Sequence, residues 1–288
     1  MPRRKEKRHD TEESDSFDEK HPNEKVVHFG TVRINRMLAP DLVEGDDTSK
    51  YSTLAWSNTL QAQRLLPWPE RKELFHRALK FLPNSYKIWH MYLEEFIDYC
   101  SSRSLLSKEW RQLNAEFEAA LEKLPRMPRI WLMYAGALDK QHQVKRTREV
   151  YNWSFRNLPV TQHEKIWKQF ANWALRLENS NTAMHIIPRY LKLNPDFKET
   201  YAEFLVNREL YDEATKVYKA ILDDDGYHSK SNKDKKDFYF QLIELITDHP
   251  DQIKAINCYE FIRKALELYP NEVGKVWVKL SDYFIRLA

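Results

Sequence analysis

Large apolar residues recur at helical spacing in two consecutive segments between Arg129 and Pro159. One face of the first segment carries three of them at i, i+3 and i+7: Trp131, Tyr134 and Leu138. One face of the second carries Tyr151, Phe155 and Leu158, with the small residue Ser154 among them. Pro159 should end the second helix, because proline lacks the N–H that the next helical hydrogen bond requires. The pattern predicts two helices joined by a short polar turn, and each needs a neighbour to cover its apolar face.

The same two patterns return along the chain. First-helix faces are predicted to bury Trp56, Trp89, Tyr92, Trp131, Tyr134, Trp167, Phe170, Tyr201, Tyr239 and Trp277. In the second helices, an apolar residue stands eight positions before each closing proline: Phe75, Phe117, Tyr151, Ile187 and Ile262. A unit of roughly 33 to 42 residues built from helix pairs is typical of an α-solenoid. The sequence therefore predicts an all-α fold, with repeats stacked into a superhelical arch.

Two regions follow from this pattern. Residues 1–50 are charged and lack a sustained period, so they are expected to be a largely disordered tail, in which Val26–Val43 could dock on the repeats or on a partner. Residues 51–288 should hold about six helix pairs and the first helix of a seventh. That last helix would leave Trp277, Leu280 and Phe284 without a partner helix, so the solenoid is expected to continue in a longer protein or to be completed by another molecule.

Two polar segments interrupt the helices. Asp98–Lys108 is expected to be an insertion between the two helices of the second repeat. Asp223–Lys236 is expected to be a long, mobile, charged loop between the fifth and sixth repeats. Insertions in repeat proteins fall on loops and often on a binding face.

The sequence lacks the motifs that are typical of enzymes. Five scattered glycines cannot form a phosphate-binding loop, and Cys100 and Cys258 lack metal-ligand spacing. No catalytic motif is present, and His163 is interpreted as a turn or cap residue rather than a metal ligand. No apolar run approaches a membrane span. These observations predict a soluble intracellular protein without catalytic residues, cofactor or metal.

Clustered basic residues are the remaining functional candidates. They are Lys145, Arg146 and Arg148 in the third repeat, and Lys230, Lys233, Lys235 and Lys236 in the charged loop. Either set could contact RNA phosphates or acidic partner segments, and a solvated helix face is the plain alternative. A net charge of only +3 favours protein partners over RNA.

Longer motifs indicate a family. The Trp131-x-x-Tyr134 spacing and the segment Arg71–Pro83 resemble the half-a-tetratricopeptide (HAT) repeat, and the glycine expected in a tetratricopeptide repeat is missing. Three segments occur in order and, with the end of the chain, resemble the N-terminal part of the larger Syf splicing-factor family, the XPA-binding HAT proteins: Leu82–Trp89, Met127–Trp131 and Leu158–His163.

That resemblance implies a nuclear scaffold of the spliceosome, within the NineTeen complex. Its implied partners are the crooked-neck HAT protein, the Isy-type factor and an Aquarius-like helicase, and peripheral contact with snRNA or pre-mRNA stays open. The alternatives are another HAT scaffold of RNA processing, crooked-neck-like or of the 3′-end cleavage factor, and an RNA-binding helical-repeat protein.

Overall fold

The computed structural model describes residues 24–29, 32–37, 39–40 and 49–287. Thirteen α-helices follow one another within those residues. They are α1 (Thr53–Ala62), α2 (Trp68–Phe81), α3 (Tyr86–Ser101), α4 (Lys108–Lys123), α5 (Pro128–Lys140), α6 (Val144–Asn157), α7 (His163–Arg176), α8 (Ser180–Leu191), α9 (Lys198–Asn207), α10 (Tyr211–Leu222), α11 (Lys235–Asp248), α12 (Cys258–Leu268) and α13 (Val273–Leu287). The predicted all-α repeat fold is confirmed.

A short hairpin precedes the helices. Strand β1 (Glu24–Phe29) pairs antiparallel with β2 (Val32–Met37), and Val27 stands opposite Ile34. These strands lie inside the segment expected to be a largely disordered tail, where the sequence pattern predicts no strand. A period-2 alternation in β2, with Val32 and Ile34 separated by a polar residue, was the available signal.

The described residues divide between His163 and Glu164 into two compact units, the first with helices α1–α6 and the second with α7–α13. In the first unit the helices from α2 to α6 pack against their neighbours in chain order. In the second unit α9 pairs with α10, α10 packs on α11, and α13 lies against both α11 and α12. Each of these helices therefore has a neighbour that covers its apolar face.

The ladder positions of the second helices form the core. All five residues that stand eight positions before a closing proline are buried: Phe75, Phe117, Tyr151, Ile187 and Ile262. The residues three positions later are buried too: Ala78, Ala120, Ser154, Tyr190 and Ala265. Small side chains at four of these latter positions let neighbouring helices approach closely, and Tyr190 is the exception.

Three first-helix tryptophans each make the same type of hydrogen bond. The indole Nε1 of Trp56, Trp89 and Trp131 donates to a backbone carbonyl six residues earlier, and each bond is 2.8 Å long. The acceptors of the last two are Pro83 and Pro125, the prolines that follow α2 and α4. All three indoles are buried in the core, and those of Trp89 and Trp131 tie their helices to the end of the preceding repeat.

A buried ion pair joins the first two repeats. The Arg71 guanidinium is almost fully enclosed and donates to both oxygens of Glu95 at 2.8 and 2.6 Å, and also to the carbonyl of Leu60. A bidentate arginine–carboxylate pair fixes orientation as well as distance. Helices α1, α2 and α3 are thereby held together through one side chain.

Trp277 departs from the predicted core set. Nine of the ten predicted first-helix residues are buried: Trp56, Trp89, Tyr92, Trp131, Tyr134, Trp167, Phe170, Tyr201 and Tyr239. Trp277 is 56% exposed, whereas Leu280, expected to lack cover, is buried. Helix α13 packs through the face that carries Val276, Leu280 and Tyr283, and Trp277 lies about 100° around the helix from Val276.

Two predicted loops are shorter than expected. Residues 98–101 belong to α3, because Cys100 is fully buried and the Tyr99 ring stacks on Trp68 at 5.0 Å, which continues the apolar face. Lys235 and Lys236 belong to α11 rather than to the charged loop. Helix α11 begins there because the Asp234 and Asp237 side chains form a capping box.

We predict that Trp131→Ala lowers the free energy of unfolding by about 3–5 kcal/mol, because it leaves a cavity between repeats. Trp131→Phe keeps most of the ring volume but removes the bond to Pro125, and should cost about 1–2 kcal/mol. Urea unfolding followed by far-UV circular dichroism measures both. A Phe variant as unstable as the Ala variant would show that ring packing is not the main contribution.

Candidate protein-interaction surfaces

The three basic residues that begin α6 do not form one site. Arg146 is half-buried and pairs with Glu118 of α4, which also accepts a hydrogen bond from the Tyr134 hydroxyl at 3.0 Å. Burial is the main cause that raises the Tyr134 pKa. Lys145 and Arg148 are exposed and make no ion pair with any described residue. Arg146 therefore connects helices within the fold, while the other two cations are available at the surface.

The lysines near the α10–α11 connection are all paired with acidic residues. Lys230 lies 3.9 Å from Asp196, Lys233 lies 3.3 Å from Glu199, Lys235 lies 2.6 Å from Asp225 and Lys236 lies 2.8 Å from Glu272. Their positive charges are thus partly neutralised by the protein itself. This distinguishes them from Lys145 and Arg148.

A buried carboxylate anchors that connection. The Glu199 side chain is 7% exposed and accepts a hydrogen bond from the Ser229 hydroxyl at 3.0 Å in addition to its pair with Lys233. Burial opposes its ionisation, but hydrogen bonds from Ser231 and Ser229 and the charge of Lys233 outweigh burial and lower its pKa. The segment expected to be a mobile loop is therefore fastened to α9.

A surface groove of about 550 Å³ runs along the side where α11 and α13 pack together. Its charged lining is balanced: Lys236, Lys275, Lys279, Asp237, Glu244 and Glu272. Glu272 accepts from Lys236 and Lys275, both at 2.8 Å, and these two bonds lower its pKa to about 2. The groove is electrostatically satisfied without a ligand.

A second groove, of about 610 Å³, lies between α10 and α12. The Tyr239 and Phe261 rings stack in it at 4.4 Å, and the Tyr239 hydroxyl donates to the Phe261 carbonyl at 2.8 Å. Lys235 lines this groove, whereas Lys236 lines the groove beside α13. The two adjacent lysines, both predicted as candidate contacts, therefore lie on different sides of α11.

We also searched the described part of the chain for a metal-binding cluster and a membrane-spanning helix. Among those residues no group of three or more His, Cys, Asp or Glu side chains is placed to hold a metal ion. None of the helices described is both long enough and apolar enough to cross a membrane. His163 lies 2.9 Å from the Leu158 carbonyl in the turn between α6 and α7, and both cysteines are buried as free thiols.

The paired helices, the indole bonds to inter-repeat carbonyls and the repeated prolines define a HAT-type helical-repeat protein. Two family models then match consecutive parts of the chain. "Pre-mRNA-splicing factor Syf1/CNRKL1 N-terminal HAT repeat" covers residues 47–196, and "Pre-mRNA-splicing factor SYF1 middle HAT repeat" covers residues 198–288. The chain belongs to the Syf1 family of HAT-repeat pre-mRNA-splicing factors, and the resemblance noted in the sequence is confirmed.

Curated relatives agree with this placement. The chain is 34% identical over 275 residues to pre-mRNA-splicing factor SYF1 of Dictyostelium discoideum, which covers 92% of this chain and 32% of that protein. The SYF1 protein of Homo sapiens is 32% identical over 88% of this chain and 31% of its own length. The Drosophila melanogaster homologue is 33% identical over 82% of this chain and 27% of its own length. The chain thus spans about a third of the length of these relatives.

We predict that Glu199→Gln speeds tryptic cleavage after Lys230 and Lys233 by about tenfold, because the loss of a charged hydrogen-bonded partner costs about 1–3 kcal/mol of local stability. Limited proteolysis with mass spectrometry measures the rate. Glu203→Gln is the matched control, since Glu203 is exposed and lies 3.6 Å from the same lysine. Equal cleavage rates in the two variants would mean that Glu199 does not anchor the segment.

We also predict that the Glu272 carboxyl titrates near pH 2 in the folded protein. Because this pKa is lowered, the ion pairs stabilise the fold above the ordinary carboxyl pKa, and that contribution is lost as the pH falls toward 2. Carbon-detected NMR should show the midpoint moving to about 4.3 in Lys236→Ala/Lys275→Ala. Lys279→Ala, in the same groove but paired with Glu244, should leave it unchanged. A midpoint near 4 in the unaltered protein would contradict the prediction.

Proposed function

We propose that this chain is part of a non-enzymatic scaffold of the spliceosome, within the NineTeen complex, and acts in the nucleus by binding several protein partners. The observation that carries the proposal is the consecutive match to two Syf1 HAT-repeat families over residues 47–288. The first of those families is named for Syf1 and CNRKL1 together, and the second for SYF1 alone. This favours the Syf-type scaffold over a crooked-neck-like or 3′-end cleavage factor.

The repeat architecture supports a binding role. Stacked helix pairs present an extended surface on which several partners can be held at once. The side chains enclosed in this chain, such as Arg71 and Glu199, make contacts within and between its helices. The exposed helix faces are therefore the parts left for recognition.

Charge distribution supports protein rather than RNA as the principal ligand. A dedicated nucleic-acid binder usually presents a continuous basic track. Here the net charge is +3, and the four lysines near the α10–α11 connection are paired with acids. The partners we propose are the crooked-neck HAT protein, the Isy-type factor and an Aquarius-like helicase.

Affinity purification of the tagged chain from nuclear extract, with and without nuclease, tests this function. We expect NineTeen-complex proteins to be identified by mass spectrometry in both samples, because protein contacts do not depend on RNA. Trp131→Ala, which loosens the repeats, should recover them less well than Trp131→Phe.

Other outcomes would overturn the proposal. Recovery of 3′-end cleavage factor subunits instead would assign the chain to a different HAT scaffold. Loss of all partners after nuclease treatment would make RNA the bridging ligand.

A further inference from the structure

The outward face of α6 combines unpaired cations with an exposed tryptophan. Five polar side chains and one indole lie on this face, because their spacing is helical: Lys145, Arg148, Glu149, Asn152, Trp153 and Arg156. The opposite face carries the buried residues Thr147, Val150, Tyr151 and Ser154. The six residues are therefore one surface, here called the α6 face.

The charge of this face is not neutralised by the protein. Lys145, Arg148 and Arg156 are exposed, and none of them forms an ion pair with a described residue. Glu149 is the only acid among the six, so the face carries a net charge of +2. Arg146, one position away, shows the contrast, because it is paired with Glu118.

Trp153 adds an apolar element at the edge of the basic residues. It is 41% exposed, whereas Trp56, Trp89, Trp131, Trp167 and Trp173 are buried. Its backbone carbonyl accepts a hydrogen bond from the Asn157 side chain, which does not involve the indole. Tryptophan beside arginine is a frequent combination at the centre of protein interfaces.

We propose that the α6 face docks an acidic segment of a partner protein that carries one aromatic or aliphatic anchor residue. Its carboxylates pair with Lys145, Arg148 and Arg156, and its anchor packs on the Trp153 indole. From Lys145 to Arg156 the face is about 17 Å long at 1.5 Å per residue, which matches roughly five residues of extended chain.

Single-stranded RNA fits this face less well. Stacking on the indole and pairing with phosphates would both be available, but three cations interrupted by Glu149 form an island rather than a track along which a backbone could run. A short acidic peptide needs no such track. The proposal names a partner class for the scaffold and in that respect rests on the proposed function.

The test begins with selection from a random twelve-residue phage-display library on the immobilised 288-residue chain. We expect enriched peptides to carry at least two acidic residues and one large apolar residue. Fluorescence anisotropy of the most enriched peptide then measures its affinity for each variant, and a labelled uridine 12-mer is measured in parallel.

Matched variants identify the face. Lys145→Glu/Arg148→Glu should weaken peptide binding at least tenfold. Lys87→Glu/Arg111→Glu makes the same charge change at exposed positions near the starts of α3 and α4, and should change the affinity less than twofold. All four substitutions place an acid near a helix N-terminus, where it is tolerated. Trp153→Ala should also weaken binding, with circular dichroism confirming the fold.

Three results would overturn the proposal. These are the absence of enriched acidic peptides, an equal loss of affinity in the two double variants, and binding of the uridine 12-mer that depends on Lys145 and Arg148 while peptide binding does not. Because the selection uses no spliceosomal component, failure here leaves the co-purification result standing. Failure of the co-purification would likewise leave a measured peptide site intact.

Discussion

The hydrogen bond from a first-helix indole to a carbonyl at the preceding turn is the constraint on which the first three repeats depend. A single side chain meets two requirements, since the ring fills the core and its N–H donates to the backbone carbonyl of the proline at the turn. Because donor and acceptor are six residues apart in both cases, the start of α3 is fixed relative to the end of α2, and the start of α5 relative to the end of α4. Repetition of this geometry gives successive repeats a common orientation at their junctions.

Much of this organisation was predictable from spacing. The repeated first-helix aromatic residues and the closing prolines predicted successive helix pairs, and thirteen α-helices follow one another in the described part of the chain. The prediction succeeds because each helix has one apolar face that a neighbour covers. The ends of the helices were harder to predict. Polar residues at 98–101 suggested a loop, yet the helix continues because Cys100 extends its buried face, and the start of α11 could have been found from the Asp234-x-x-Asp237 capping box.

The electrostatic contacts could not be predicted in this way. Lys236 and Glu272 are 36 residues apart, and nothing in the local sequence of either indicates the other. The burial of Glu199 could not be predicted either, because it depends on the charged α10–α11 connection packing back against α9. Basic residues that looked equivalent in sequence therefore divide into those that hold the fold together and those, such as Arg148, that remain at the surface.

The ion pairs between helices join residues that are close in sequence. Arg71 and Glu95 are 24 residues apart, and Arg146 and Glu118 are 28 apart, so each connects parts of the chain that lie within about one repeat of each other. Loop-closure entropy grows with the separation of contacting residues, and folds dominated by local contacts form quickly. Each repeat can therefore acquire its native contacts soon after it leaves the ribosome, without waiting for the rest of a long polypeptide.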